Sequence, residues 1–202
     1  MVSIYELKPK FQQLLRPLVR GLAKIGVTAN FVTISAAVLS VALGILLLLY
    51  PSYNWIILLV PAFLFFRMML NAIDGMLARE HKMESSLGSI LNELGDIVSD
   101  AAIYLPFALI LDTSSAFVVS LVVLALVTEV TGILGTVIGG SRRYDGPMGK
   151  SDRAFAFGVL SLLIYFFSFP TVIYTIVIAA LLLLLILTTF NRANRALKEV
   201  QS

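Results

Sequence analysis

Long runs of apolar residues, separated by short polar segments, make up most of this chain. The six runs extend over about 30–50, 54–79, 86–111, 115–139, 153–169 and 171–190. A helix needs about 20 mostly apolar residues to cross the hydrocarbon core of a bilayer, and most of these runs reach that length. The pattern therefore predicts an all-α, multi-pass membrane protein with six transmembrane helices.

A different periodicity precedes the first run, where apolar and basic residues alternate at helical spacing. This pattern predicts an amphipathic helix within 1–27 that lies in the membrane interface, its basic face toward anionic headgroups. The alternative is an amphipathic segment packed on a loop. The apolar positions are Leu7, Phe11, Leu14, Leu18, Leu22 and Ile25, and the basic ones are Arg16, Arg20 and Lys24.

Composition and charge distribution support this topology. The chain of 202 residues is 59% hydrophobic and 13% charged, whereas charged residues make up about a quarter of ordinary soluble domains. Fourteen of the 15 Lys and Arg precede the first run, follow the last, or lie after the second and fourth. Positive charge marks the cytoplasmic side, so we expect both termini to be cytoplasmic. We further expect one domain in a bacterial inner membrane, with a six-helix bundle over 28–191 and a cytoplasmic tail over 192–202.

Polar residues interrupt the second and third runs in two helical stripes. Side chains four residues apart share one face of a helix, and polar faces inside a bilayer avoid lipid. Because the two helices form an antiparallel hairpin, their stripes are expected to face each other. The first stripe contains Arg67, Asn71, Asp74 and Ala78, and the second Gly88, Asn92, Asp96 and Asp100.

Four oxygen-bearing side chains in these stripes suit a hard divalent cation. Mg²⁺ and Mn²⁺ prefer carboxylate, amide carbonyl and water oxygens, and Mg²⁺ commonly combines one or two carboxylates with substrate phosphates. The stripes therefore predict a metal–diphosphate site formed by Asn71, Asp74, Asn92 and Asp96.

The same segment closely resembles the signature of the CDP-alcohol phosphatidyltransferases, D-x-x-D-G-x-x-A-R-x₈-G-x₃-D-x₃-D. The sequence "DGMLAR", then eight residues, then Gly88 and Asp96 match it at the signature's spacing. In addition, "VTANFVT" at 27–33 is similar to the family's T-P-N-x-[IL]-T, with Ala29 in place of Pro. The six-span topology with both ends inside is also that of the family.

The resemblance implies an enzyme of phospholipid biosynthesis that transfers a substituted phosphate from CDP-diacylglycerol, or another CDP-alcohol, to an alcohol and releases CMP. It implies Mg²⁺ or Mn²⁺ as cofactor, Asp96 as the catalytic base, and a homodimer in contact with membrane lipids. We expect no nucleic-acid partner. The residues implied to hold the CDP diphosphate are Asp74, Gly75, Ala78, Arg79 and Gly88.

The chain departs from the signature at two of its four Asp positions. Asn71 and Asn92 can still ligate through oxygen, but two negative charges are missing. One metal ion is therefore favoured over two. The departure also leaves open the alternative that this protein is a relative that binds CDP-lipids and has altered or lost activity. A further alternative is an ion or proton transporter with an acidic relay of Asp74, Glu93, Asp96, Asp100 and Glu129.

The other charged residues within or beside the spans have two interpretations each. Arg67 and Asp100 are predicted to form a structural pair at equal depth in the hairpin rather than a catalytic couple, and Glu93 is a rival partner of Arg67. Glu129, alone in the fourth span, either binds an acceptor hydroxyl or pairs with Arg67. The basic loop before the fifth span either fixes topology or binds an acceptor or phosphate, and its candidates are Arg143, Lys150 and Arg153.

Overall fold

The structure is a computed structural model that describes residues 4–201, with side chains described for 10–53 and 55–201. The regular elements of this part of the chain are helices, which confirms the all-α prediction. Residues 1–3 of the predicted interfacial helix and residue 202 of the predicted tail lie outside the described residues. The α-helices are α1 (Ile4–Lys24), α2 (Ala29–Leu49), α3 (Leu59–Glu80), α4 (Ser86–Tyr104), α5 (Phe107–Ile110), α6 (Ser115–Val137), α7 (Lys150–Phe166) and α8 (Thr171–Gln201).

Four segments of the described chain are long and apolar enough to cross a membrane. They are Ala29–Leu49, Trp55–Glu80, Ser115–Val137 and Thr171–Gln201. The other two predicted spans differ in detail. α7 has 17 residues, and the run at 86–111 is broken where Pro106 separates α4 from α5. Proline lacks the backbone N–H that a continuing helix needs. A membrane protein is thus supported, while the count of six spans stays a prediction.

The first compact unit comprises residues up to Ser40 together with Phe65–Ser99. Its core joins apolar side chains of three helices: Leu15 and Val19 of α1, Ala29 and Val32 of α2, and Ile73, Met76 and Leu77 of α3. An adjoining face of α1 leaves Leu14 and Leu18 exposed, and Ile25, just beyond the end of α1, is also exposed. One apolar face of α1 is thus packed on its unit, and apolar side chains remain on its outer surface.

The connection from α1 to α2 is fixed by local hydrogen bonds. Gly26 has a positive φ of 81°, a conformation that glycine adopts without steric cost. The Gly26 and Val27 amides donate to the carbonyls of Ala23 and Leu22, the pattern that closes many helix C-termini. The Thr28 hydroxyl accepts a hydrogen bond from the Phe31 amide at 3.2 Å and so caps the start of α2.

The second unit comprises Val41–Leu64 together with residues from Asp100 onward. α6 packs along α8, and the core contains a stack of Tyr104 on Phe157 with ring centroids 3.9 Å apart. Such aromatic contacts add to the burial of apolar area.

Helix α8 continues beyond the predicted sixth span. It has 31 residues and is thus about 46 Å long at 1.5 Å per residue, against a hydrocarbon core of about 30 Å. Residues 192–201 of the predicted tail form the end of α8, and the cytoplasmic location of this tail stays a prediction. Its first residue, Arg192, is buried.

Candidate functional site

The α3–α4 hairpin carries the predicted metal and diphosphate ligands and belongs to the first unit. α3 ends where Lys82 adopts a φ of 56° and the Met83 amide donates to the Ala78 carbonyl at 2.9 Å. Ser85 immediately precedes α4, and its Oγ accepts a hydrogen bond from the Gly88 amide at 3.0 Å. A serine in this position satisfies a backbone N–H that has no partner within the helix. The polar turn therefore fixes where each stripe begins.

Asp74 is held by a side chain of α2. The Thr33 hydroxyl lies 2.9 Å from Asp74 Oδ2 and donates to it, and both residues are buried. The same hydroxyl lies 3.1 Å from the Ala29 carbonyl one turn earlier. Thr33 is the last residue of the stretch "VTANFVT". The two sequence motifs that carried the family resemblance therefore contact each other.

Asp96 contacts a buried cation of α3. Arg67 Nη2 lies 3.3 Å from Asp96 Oδ1 and 3.2 Å from the Asp96 carbonyl oxygen. This contact brings the two polar stripes together within the unit, as their spacing predicts. It differs in detail from the expected arrangement, because Arg67 contacts Asp96 one helical turn closer to the hairpin than Asp100. The Arg67–Asp100 pair itself stays a prediction.

The side chains of the stripes have the chemistry of ligands for a hard cation. Asp74 is buried, whereas Asn71, Asn92 and Asp96 are partly exposed. Within residues 4–201, no group of three or more His, Cys, Asp or Glu side chains could hold a metal ion. Amide oxygens from the two Asn would thus have to complete the set, and they are acceptable ligands for Mg²⁺ or Mn²⁺.

Small residues shape the space beside these ligands. A Cβ at Gly75 would lie 3.0 Å from Arg79 Nη2, so the guanidinium folds back over this glycine. A Cβ at Gly88 would lie 2.7 Å from Asn30 Oδ1. Ala78 packs against the core of the unit. Among the described residues, no side chain or carbonyl forms an ion pair or hydrogen bond with Arg79. Its charge is therefore available for an anionic ligand.

A second cluster of buried charges lies in the second unit, around Glu129. The Glu129 carboxylate accepts from Arg142 Nη2 and from Arg153 Nη2, each at 2.8 Å, and lies 3.3 Å from Arg192 Nη1. Arg153 also donates to Asp100 Oδ2 at 2.7 and 3.1 Å. Glu129 thus pairs with three arginines of its own unit. From the sequence, Arg67 was one expected partner of Glu129. Burial of Glu129 and Arg153 indicates a structural role, so ligand binding by them stays a prediction.

The loop between α6 and α7 supplies Arg142 and is fastened to α8. Arg143 donates to Asp145 Oδ2 at 2.9 Å and to Glu199 Oε2 at 3.0 Å, and Arg195 lies 2.9 Å from Asp145. The hydrogen bond to Asp145 raises the pKa of Arg143 above its ordinary value. Arg143 therefore stays charged and is engaged with its own chain. Lys150 begins α7 and is partly exposed, so it keeps the predicted role of phosphate ligand.

Sequence reasoning missed Arg142 and Arg192 as members of the Glu129 cluster. A buried carboxylate in an apolar helix needs a cation, and this signal was present in the sequence. The spacing within one helix, however, does not say which of the neighbouring helices provides the cation. Arg192 was assigned to a tail because the apolar run ends at residue 190.

Together, these observations define an all-helical membrane protein with an oxygen-rich hairpin, in which Asp74 is buried and Arg79 has no ion-pair partner among the described residues. Comparison with known proteins identifies the class. The sequence matches the CDP-alcohol phosphatidyltransferase family over residues 26–199. The chain belongs to this family.

Individual relatives agree with this assignment. The chain is 46% identical over 163 residues to the inner membrane protein YnbA of Escherichia coli strain K12, covering 81% of each sequence. It shares its fold with phosphatidylinositol phosphate synthase PgsA1 of Mycobacterium tuberculosis. The structure of that enzyme with CDP-DAG bound has a TM-score of 0.70 at 18% identity, covering 94% of both chains. Its complex with manganese and citrate has a TM-score of 0.71 at 20% identity, covering 92% of this chain and 88% of the other.

Proposed function

We propose that this protein transfers a phosphatidyl group, or a related substituted phosphate, from CDP-diacylglycerol or another CDP-alcohol to an alcohol acceptor and releases CMP. The observation that carries the proposal is the arrangement of two residues of the family signature, Asp74 and Arg79, in the first unit. Asp74 is fixed by Thr33, and Arg79 has no ionic partner among the described residues. Family membership supports this general activity, and the donor is supported by the relative that binds CDP-DAG.

The chain's own residues suit the steps of such a transfer. Arg79, over Gly75, would hold the donor diphosphate. Asn71, Asp74, Asn92 and Asp96 would hold Mg²⁺ or Mn²⁺, which when bound neutralises the diphosphate. The acceptor hydroxyl oxygen forms a bond to the phosphorus that carries the lipid. The bond from that phosphorus to the bridging oxygen breaks, CMP leaves with the electron pair, and Asp96 takes the hydroxyl proton.

The ion is proposed to be single, because Asn71 and Asn92 remove two of the four anionic ligands expected from the signature. The nearby Arg67 guanidinium, 3.3 Å from Asp96 Oδ1, adds a further positive charge that a second divalent ion would have to tolerate. A manganese complex of PgsA1 supports a divalent metal in this fold.

The membrane arrangement is part of the same proposal. We infer an arrangement with six spans, cytoplasmic termini, a site at the cytoplasmic face and a homodimer. α1 is proposed to lie in the membrane interface, since Leu14 and Leu18 are exposed on it and Ile25 is exposed just beyond its end. The E. coli relative described as an inner membrane protein supports the location.

A second candidate function is CDP-lipid binding without turnover, which the two Asn in the signature favour. A proton transporter is less well supported, because Asp100 and Glu129 of the proposed relay form buried ion pairs with Arg153, and buried carboxylates held in such pairs are poor relay groups.

The experiment is a CMP-release assay in proteoliposomes that contain CDP-diacylglycerol and Mn²⁺, with a panel of alcohols: glycerol phosphate, serine, inositol phosphate and simple polyols. Asp74→Asn is the matched control, since it preserves shape and removes one charge. CMP release by the wild type, absent in Asp74→Asn, supports the proposal. Binding of CDP-diacylglycerol without release with any acceptor would favour the silent relative, and ion flux without CDP-lipid binding would favour transport.

A further inference from the structure

Thr33, the last residue of the stretch "VTANFVT" on α2, lies next to both helices of the α3–α4 hairpin. Its hydroxyl lies 2.9 Å from Asp74 Oδ2 on α3. Its γ-methyl lies 3.7 Å from the point that a Cβ at Gly95 would occupy, next to Asp96 on α4. Thr33 is 8% exposed and Asp74 is 6% exposed, so water has little access to this hydrogen bond.

We propose that Thr33 is a positioning residue that sets the orientation of the Asp74 carboxylate for the divalent cation. This inference rests on the proposed function. A carboxylate can rotate about its last torsion angle, and this rotation decides which oxygen lone pairs point toward an ion. Hydrogen bonds from neighbouring groups to ligating carboxylates remove this freedom and commonly change metal affinity by about 10–100-fold.

The Thr33 side chain has two features that suit this role. Its hydroxyl can turn from Asp74 to the Ala29 carbonyl, 3.1 Å away, so the donor is not left unsatisfied when Asp74 changes its partners. This contact with the Ala29 carbonyl also favours one of the rotamers that a threonine adopts in a helix, which sets the position of the hydroxyl oxygen. Both features act through Asp74, and Thr33 needs no contact with the substrate.

Ser40 provides an internal comparison on the same helix and in the same unit. Its hydroxyl is buried and donates to the Ala36 carbonyl at 2.6 Å, without a carboxylate partner. Removing either hydroxyl deletes a buried hydrogen bond within α2, but only Thr33 bears on Asp74. Thermal stability should therefore respond similarly to both changes, and metal affinity only to the change at Thr33.

The test compares wild type, Thr33→Val, Thr33→Ser and Ser40→Ala of the full chain in detergent. Mn²⁺ binding is measured from the electron paramagnetic resonance signal of the free ion, and melting temperature and CMP release are recorded beside it. Thr33→Val keeps the shape and removes the hydroxyl, so we expect Mn²⁺ affinity to fall by about 10–100-fold. Thr33→Ser restores the hydroxyl and should bind close to wild type, as should Ser40→Ala.

The outcomes separate this inference from the proposed function. Equal Mn²⁺ affinity in wild type and Thr33→Val, with CMP release intact in the wild type, overturns the role of Thr33 alone. A loss of affinity in Ser40→Ala as large as in Thr33→Val also overturns it, since the effect would then reflect general loosening of α2. A wild type that neither binds Mn²⁺ nor releases CMP overturns the proposed function together with this inference.

Discussion

The clearest energetic prediction concerns Glu129, whose replacement by Gln should strongly destabilise the protein. The carboxylate is 3% exposed and contacts Arg142, Arg153 and Arg192 at 2.8 to 3.3 Å. Taken by themselves, these three guanidinium groups and the carboxylates of Glu129 and Asp100 have one positive charge in surplus. Glu129→Gln keeps the shape but raises the surplus to two.

The expected size of the effect follows from burial. Removing one partner of a buried, hydrogen-bonded charge pair costs about 3–5 kcal/mol because the remaining charge is left uncompensated. For a protein of about 200 residues each kcal/mol shifts the melting temperature by about 2–4 °C. We therefore expect a decrease of about 6–20 °C in the apparent melting temperature.

The assay is thermal unfolding in detergent at one fixed scan rate, followed by the fluorescence of Trp55, the single tryptophan. The matched control is Glu80→Gln, which breaks the exposed pair between Arg16 and Glu80 at 2.9 Å and should not change the melting temperature measurably. The double variant Glu129→Gln/Arg142→Gln removes the additional surplus and should recover part of the loss. A melting temperature of Glu129→Gln equal to wild type would refute the reasoning, because the cluster would then not need its central anion.

Three further predictions can be tested with the same preparations. Asp74→Asn should abolish CMP release with little change in melting temperature, and retained turnover would contradict the metal assignment. EDTA should stop CMP release and added Mn²⁺ should restore it, whereas release that persists in EDTA argues against a metal. Gly132→Ala should lower the melting temperature, because its Cβ would lie 2.6 Å from the Arg143 carbonyl oxygen. Gly21→Ala in α1 meets no atom within 4 Å and should leave stability unchanged or increase it by up to about 1 kcal/mol, so equal losses in the two variants would refute the packing argument.

The sequence was most informative where function depends on spacing within one helix. The positions of Asp74, Gly75 and Arg79 on α3 follow from helical geometry alone, and the structure brings their stripe to that of Asp96 through Arg67. Arg67 contacts Asp96, one turn nearer the hairpin than Asp100, and the pairing of Arg67 with Asp100 stays a prediction, because the length of the turn sets only an approximate register between two helices.

The pattern of apolar and polar residues could not predict which residues distant in the sequence contact each other. Arg153 meets Asp100 across 53 positions and Arg192 meets the Thr128 carbonyl across 64. Periodicity identifies which face of a helix is buried but not which neighbour covers it. The same limit explains why the full length of α8 was not predicted. The change from apolar to polar residues after 190 ends the apolar run but does not end the helix. No Gly or Pro follows Pro170 to stop it.

The last turns of α8 have a practical consequence for handling the protein. The Glu199 carboxylate accepts hydrogen bonds from both the amide and the hydroxyl of Ser141 at 3.0 Å, and Arg195 forms an ion pair with Asp145. Truncating the chain after residue 190 would remove the contacts that fasten the α6–α7 loop. It would also remove Arg192, which pairs with Glu129. An affinity tag joined directly to the final residues would crowd the same anchors, so a spacer at that end is advisable.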